Sequence, residues 1–210
     1  MAPGKKMKTA AKIISYVFHP LLFATYLVLV LGWFMPRFLL LPPTAILTFA
    51  ALVFVMTFVL PVANLLMFKA FGTLPSLQME TQRERLIPFT LITIIYAVVA
   101  AMFFYKVSGN VNFNKVMFIV ASLVFVATVA TFFLKISVHS LAMCGALGIM
   151  IPLNKVVNDG SLLAPTLVVL TLAGVVMSSR LYLNAHTPRE VLFGAVIGFS
   201  VGFFGILLLF

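Results

Sequence analysis

Three histidines, a few carboxylates, a scatter of cations and a serine are the side chains here whose types and spacing suit chemistry. The densest group is Ser178-Ser179-Arg180-Leu181-Tyr182-Leu183-Asn184-Ala185-His186-Thr187-Pro188-Arg189-Glu190. Glu190 follows His186 by four residues, one helical turn, so its carboxylate can hold one imidazole nitrogen and leave the other unprotonated. A histidine held in that way is a candidate nucleophile. Arg180 precedes it by six residues, and its guanidinium fork suits two oxygens of a phosphate. Continuous helix would separate the two by about 9 Å along the axis, whereas a break near Asn184 would bring both onto one phosphate. The same residues also have a purely structural reading. Thr187-Pro188-Arg189-Glu190 is a capping box, with threonine as N-cap, proline at the first helical position and glutamate at the third. Both readings can hold together.

A second group is Lys135-Ile136-Ser137-Val138-His139-Ser140, and a third is Glu80-Thr81-Gln82-Arg83-Glu84-Arg85-Leu86-Ile87-Pro88. Moving a phosphoryl group to water needs a nucleophile, cations around three oxygens and an acid for the leaving group. His139, by itself, reads as an interfacial histidine at a helix start. Arg83, Arg85 and Lys135 are further cations, although Arg83 and Arg85 also read as a solvated loop paired locally with Glu80 and Glu84. His19, before Pro20, reads either as a hydrogen bond to a neighbouring helix or as part of a cleft lining. Arg189 reads as an interfacial residue, Asp159 as a turn residue.

The elements that must position these groups are set by composition. Apolar residues make up 63% of the chain and charged residues 9%, where a soluble domain is about half apolar and about a quarter charged. The expected fold is therefore all-α: a polytopic integral membrane helix bundle of about six to seven transmembrane helices, forming one domain over 1–210. Apolar segments fall at 13–34, 44–68, 87–105, 116–134, 140–154, 163–180 and 189–210, the fifth being the shortest. The cations lie at helix ends rather than in a basic stripe, which favours a membrane surface over nucleic acid. The lone Cys144 excludes an internal disulfide and a cysteine-based metal cluster. The basic start followed by a long apolar run reads as an uncleaved first span.

Counting spans from the N-terminus puts Arg83, Arg85, Lys135, Ser137, His139, Arg180, His186 and Glu190 on one membrane face. That face carries ten lysines and arginines against four on the other. The bias makes it cytoplasmic, in a bacterial inner membrane.

The Ser179-Arg180, His186, Glu190 spacing resembles the third signature motif of the type 2 phosphatidic acid phosphatase superfamily, with Glu190 where that family usually has aspartate. Lys135 to Ser140 resembles its second motif, Pro-Ser-Gly-His, with Ile136 and Val138 in place of proline and glycine. The first motif, a lysine followed at a set distance by Arg-Pro, is matched only loosely by Arg83, Arg85 and Pro88. The resemblance spans roughly residues 80–190 and implies a membrane enzyme that hydrolyses a lipid or isoprenoid phosphate through a phosphohistidine. It implies no metal and no cofactor. His186 would attack, Glu190 would orient it, and His139 would protonate the leaving oxygen. Arg180, Arg83, Arg85, Ser137 and Lys135 would hold the phosphate. The expected partners are that substrate and the bilayer, with the oligomeric state left open. The alternative is a non-catalytic relative that binds a lipid phosphate or supports a membrane complex. A transporter would instead show mid-membrane charges and paired broken helices.

Overall fold

Every regular element in the computed structural model, which describes residues 3–72, 81–107 and 109–210, is helical. In chain order these are α1 (Pro3–Val17), α2 (Phe23–Phe34), α3 (Pro36–Leu39), α4 (Ile46–Phe54), α5 (Leu60–Ala70), α6 (Gln82–Lys106), α7 (Val111–Phe133), α8 (Val138–Val157), α9 (Leu163–Tyr182) and α10 (Pro188–Leu209). Among the described residues seven stretches are long and apolar enough to cross a membrane: Gly4–Phe34, Pro43–Ala70, Gln82–Lys106, Val111–Phe133, Val138–Val157, Leu163–Tyr182 and Pro188–Leu209. The fifth, read from hydropathy as short, is a full 20-residue helix, about 30 Å of rise. Phe118, Phe125 and Phe132 recur along one face of α7 and are 59%, 55% and 54% exposed. Such a stripe is unfavourable in water and ordinary in hydrocarbon. The chain is all-α and consistent with an integral membrane protein.

Two spans depart from regular helix, each because of a proline. Pro20 disfavours the helical conformation at the residue before it. His19 is accordingly extended (φ −64°, ψ 136°), α1 stops at Val17, and a short 3-10 turn at Pro20–Leu22 leads into α2. Hydropathy is blind to this interruption, because both flanks are equally apolar. In the second span Pro61 lacks the N–H that a regular helix would direct at the Thr57 carbonyl. The backbone widens into a π segment over Val55–Val59, and the Tyr96 hydroxyl donates to Thr57 O at 3.0 Å. Tyr96→Phe is expected to lower stability by about 1–3 kcal/mol, the usual loss when a buried carbonyl loses its donor. A thermal unfolding midpoint in detergent equal to wild type would show that this bond does not support the span.

The helices group into two compact units. One, from Ala24 to Lys135, holds α2 to α7. Its core includes Phe103 and Phe113, whose rings meet edge to face at 4.9 Å, and a Thr93–Thr128 hydroxyl pair at 2.7 Å joins α6 to α7. The other joins α1 and the Pro20–Leu22 turn to α8, α9 and α10. There Met143 and Leu147 of α8 pack on Ala173 and Val176 of α9, with Ile14, Phe18 and Phe199 against them.

Small residues let α8 and α10 approach backbone to backbone. A Cβ placed on Gly194 would meet the Ser137 carbonyl, one on Gly198 the Leu141 carbonyl, and one on Gly202 the Gly145 carbonyl. Residue numbers rise together along both helices, so α8 and α10 run parallel and begin at the same end. That end carries the chemistry-bearing groups. Gly198→Ala would force the two backbones apart, and a loss of about 1–3 kcal/mol in detergent stability is expected. Wild-type stability in that variant would mean that the helices are not in this contact.

Candidate active site

The site is assembled from three helix ends of the unit that contains α8, α9 and α10. At the first, α9 ends in a Schellman motif. Asn184 takes the left-handed conformation (φ 51°), Asn184 N–H donates to Leu181 O at 2.9 Å, and Ala185 N–H to Arg180 O at 3.1 Å. Asparagine tolerates that backbone better than most residues, so the helix stops there and the chain turns sharply toward His186. Arg180 lies half-buried in the last turn of α9, where the helix dipole favours a cation.

At the second end, Thr187 caps α10: its hydroxyl accepts from Glu190 N–H at 3.3 Å, with Pro188 at the first helical position. The reciprocal half of the capping box is not made. The Glu190 carboxylate turns instead to His186, 2.7 Å from Nδ1. Nδ1 donates that bond, so in the neutral ring the lone pair sits on Nε2. The His186 side chain is only 2% exposed and that of Glu190 19%, which keeps the pair from being diluted by solvent. The arm of Glu190, one methylene longer than aspartate, reaches the ring without difficulty.

At the third end, Ser137 caps α8, accepting from Ser140 N–H at 3.4 Å and from the Ser140 hydroxyl at 2.9 Å. Ser137 N–H donates to Glu190 O at 3.0 Å, a backbone tie that fixes the start of α8 against the first turn of α10. Ser137 is fully buried, and its hydroxyl oxygen accepts both of these cap bonds. His139 stands in the first turn of α8, also buried. Its Nε2 lies 3.1 Å from the Ser15 carbonyl of α1. A carbonyl only accepts, so in the neutral ring Nε2 carries the proton and Nδ1 the lone pair. That Nδ1 is buried with no hydrogen-bond partner among the described residues. Arg180, His19 and His186 all lie within electrostatic reach of His139. The His19 ring meets the His139 ring edge-on, with centroids 5.9 Å apart. Leu21 N–H donates to His19 Nδ1 at 3.3 Å, which puts the proton of that ring on Nε2.

Of the residues singled out by sequence, His139, Ser137, Arg180, His186 and Glu190 thus share one unit, with His19 beside them. Arg83, Arg85 and Lys135 belong to the other unit. Arg83 is exposed and Arg85 buried in the first turn of α6, which Thr81 caps; Glu80 lies outside the described residues. Ser15 carried no sequence signal, being one serine in an amphipathic helix. The Gly194, Gly198, Gly202 stripe did carry one, a small residue at every fourth position of an apolar helix. Asp159 accepts from Ser161 N–H at 2.9 Å, as a turn residue does. Among the described residues no group of three His, Cys, Asp or Glu side chains is placed to hold a metal ion. No family model, curated protein or solved structure matches this chain.

Proposed function

We propose that this protein is a membrane phosphatase similar to the type 2 phosphatidic acid phosphatases, hydrolysing a phosphate or diphosphate on a lipid or isoprenoid chain. The observation that carries the reading is the buried His186–Glu190 pair, 2.7 Å apart, at the same helix ends as a second buried imidazole and an arginine. A capping box with no further role would have kept its glutamate on the N-cap backbone. Here the carboxylate orients a ring.

In this reading His186 Nε2 attacks phosphorus, the bond to the leaving oxygen breaks, and His139 gives that oxygen a proton. Glu190 balances the positive charge that the phosphorylated imidazole acquires. Water then attacks phosphorus, His139 takes its proton, and the P–N bond breaks to restore His186. Arg180 neutralises charge on the equatorial oxygens. The chemistry needs no metal. Arg83, Arg85 and Lys135 enter on the sequence pattern alone. The Lys/Arg bias favours a cytoplasmic site; labelling of a Lys5→Cys variant only from outside the cell would reverse that orientation.

The test is phosphate release in EDTA by purified protein from a panel of lipid phosphates and prenyl diphosphates. Turnover of at least one substrate is expected, and the panel then names the chain. A folded protein that binds lipid phosphate and releases none would favour the second reading, a binder without turnover. One feature supports that rival: Ser137, which the family pattern would assign to phosphate, is fully buried with its oxygen accepting two bonds in the α8 cap.

A further inference from the structure

The first span takes part in the site. Its helix breaks at His19-Pro20, and the break leaves carbonyls at the end of α1 without intrahelical donors. In an unbroken helix the Ser15 carbonyl would accept from the N–H of His19. Instead it accepts from His139 Nε2. The same break swings the His19 ring edge-on to His139. His139 is therefore gripped on one nitrogen and one ring edge by residues that flank a single proline.

We propose that Ser15, His19 and Pro20 are positioning residues of this site, acting through His139. The Ser15 carbonyl keeps a proton on Nε2 in every state of the ring. Nδ1, buried and without a partner among the described residues, is then the atom that gives a proton to the leaving oxygen and takes one from water. The cycle starts from the charged ring, with a proton on each nitrogen, and its proton count closes: Nδ1 loses one proton as the ester bond breaks and regains one as the P–N bond is hydrolysed, while Nε2–H never leaves Ser15. Without the break the His19 N–H would claim the carbonyl, and His139 would lose the partner that selects its tautomer.

The proposal rests on the phosphatase reading for the use of Nδ1 but not for the tautomer, and the two are separable by experiment. Histidine ring-nitrogen NMR on the full chain in detergent micelles reads the tautomer directly, with His139 assigned by its absence in His139→Gln. The expected wild-type result is an Nε2 that stays protonated through a pH titration, with Nδ1 the nitrogen that is bare in the neutral ring and gains a proton in the charged one. In Pro20→Ala the resonances should move toward a mixed tautomer. With a turned-over substrate, kcat in that variant should fall about 10- to 100-fold with KM little changed, short of the ~10²–10⁴-fold expected for loss of the imidazole. A neutral ring with its proton on Nδ1 in wild type overturns the proposal whether or not any phosphate is released, and whether or not Pro20→Ala folds. An unmoved tautomer in a folded Pro20→Ala protein overturns it as well. A null result on every substrate with the expected nitrogen pattern would count against the phosphatase reading while upholding the role of the break.

Discussion

Replacing His186 with alanine is expected to abolish phosphate release, lowering kcat by about 10⁴-fold or more. Removal of a covalent nucleophile leaves only the catalysis that binding and charge stabilisation supply. The ring is buried, so truncation also leaves a small cavity and leaves the Glu190 carboxylate without its partner. Those structural losses would lower stability but do not by themselves cost orders of magnitude in rate. His186→Gln separates the two effects, since its amide can still donate to Glu190 and fill most of the space. Both variants should bind a lipid phosphate with near wild-type affinity and turn none over. A His186→Gln protein with more than about a tenth of wild-type kcat would remove His186 from the chemistry.

The second large effect is expected at Glu190. Its carboxylate holds His186 Nδ1 at 2.7 Å, while its backbone ties α10 to Ser137 and its N–H receives the Thr187 cap. Glu190→Gln keeps all the backbone contacts and nearly the same volume. The amide can hold Nδ1–H through its oxygen, but it cannot balance the positive charge of the phosphorylated ring. It can also turn its NH₂ to the ring and select the wrong tautomer. A fall in kcat of about 10²–10⁴-fold is expected, by analogy with the loss of the orienting carboxylate in a hydrolase triad. Glu190→Asp restores the charge but shortens the arm by one methylene and pulls the carboxylate off the ring. It should therefore be impaired too, although aspartate is the usual acid in the family that the motif resembles. Wild-type kcat in both variants, measured on the folded protein, would return Thr187 to Glu190 to the status of a helix start.

The sequence by itself determined that the chain is helical and built of membrane-length apolar segments, because hydropathy and the backbone's need to satisfy its own hydrogen bonds are local properties. It also pointed to His186, Glu190 and Arg180, since a turn's spacing on one helix start and a cation at the preceding helix end are readable from sequence distance alone. Thr187-Pro188 announced where α10 begins, and Asn184 where α9 had to stop. Which use Glu190 makes of its carboxylate was not legible, because capping and histidine orientation ask for the same residue at the same place. Only the folded side chain chose the histidine. Nor was the pairing of His139 with Ser15 legible, as those residues stand 124 positions apart and the bond exists only because α1 and α8 pack in one unit. The division that leaves Arg83, Arg85 and Lys135 in the other unit has the same origin. Span counting assigns a residue to a membrane face, whereas its neighbours on that face depend on which helices close-pack. For α8 and α10 that choice was made by glycines, three on α10 and Gly148 on α8, that let two backbones touch.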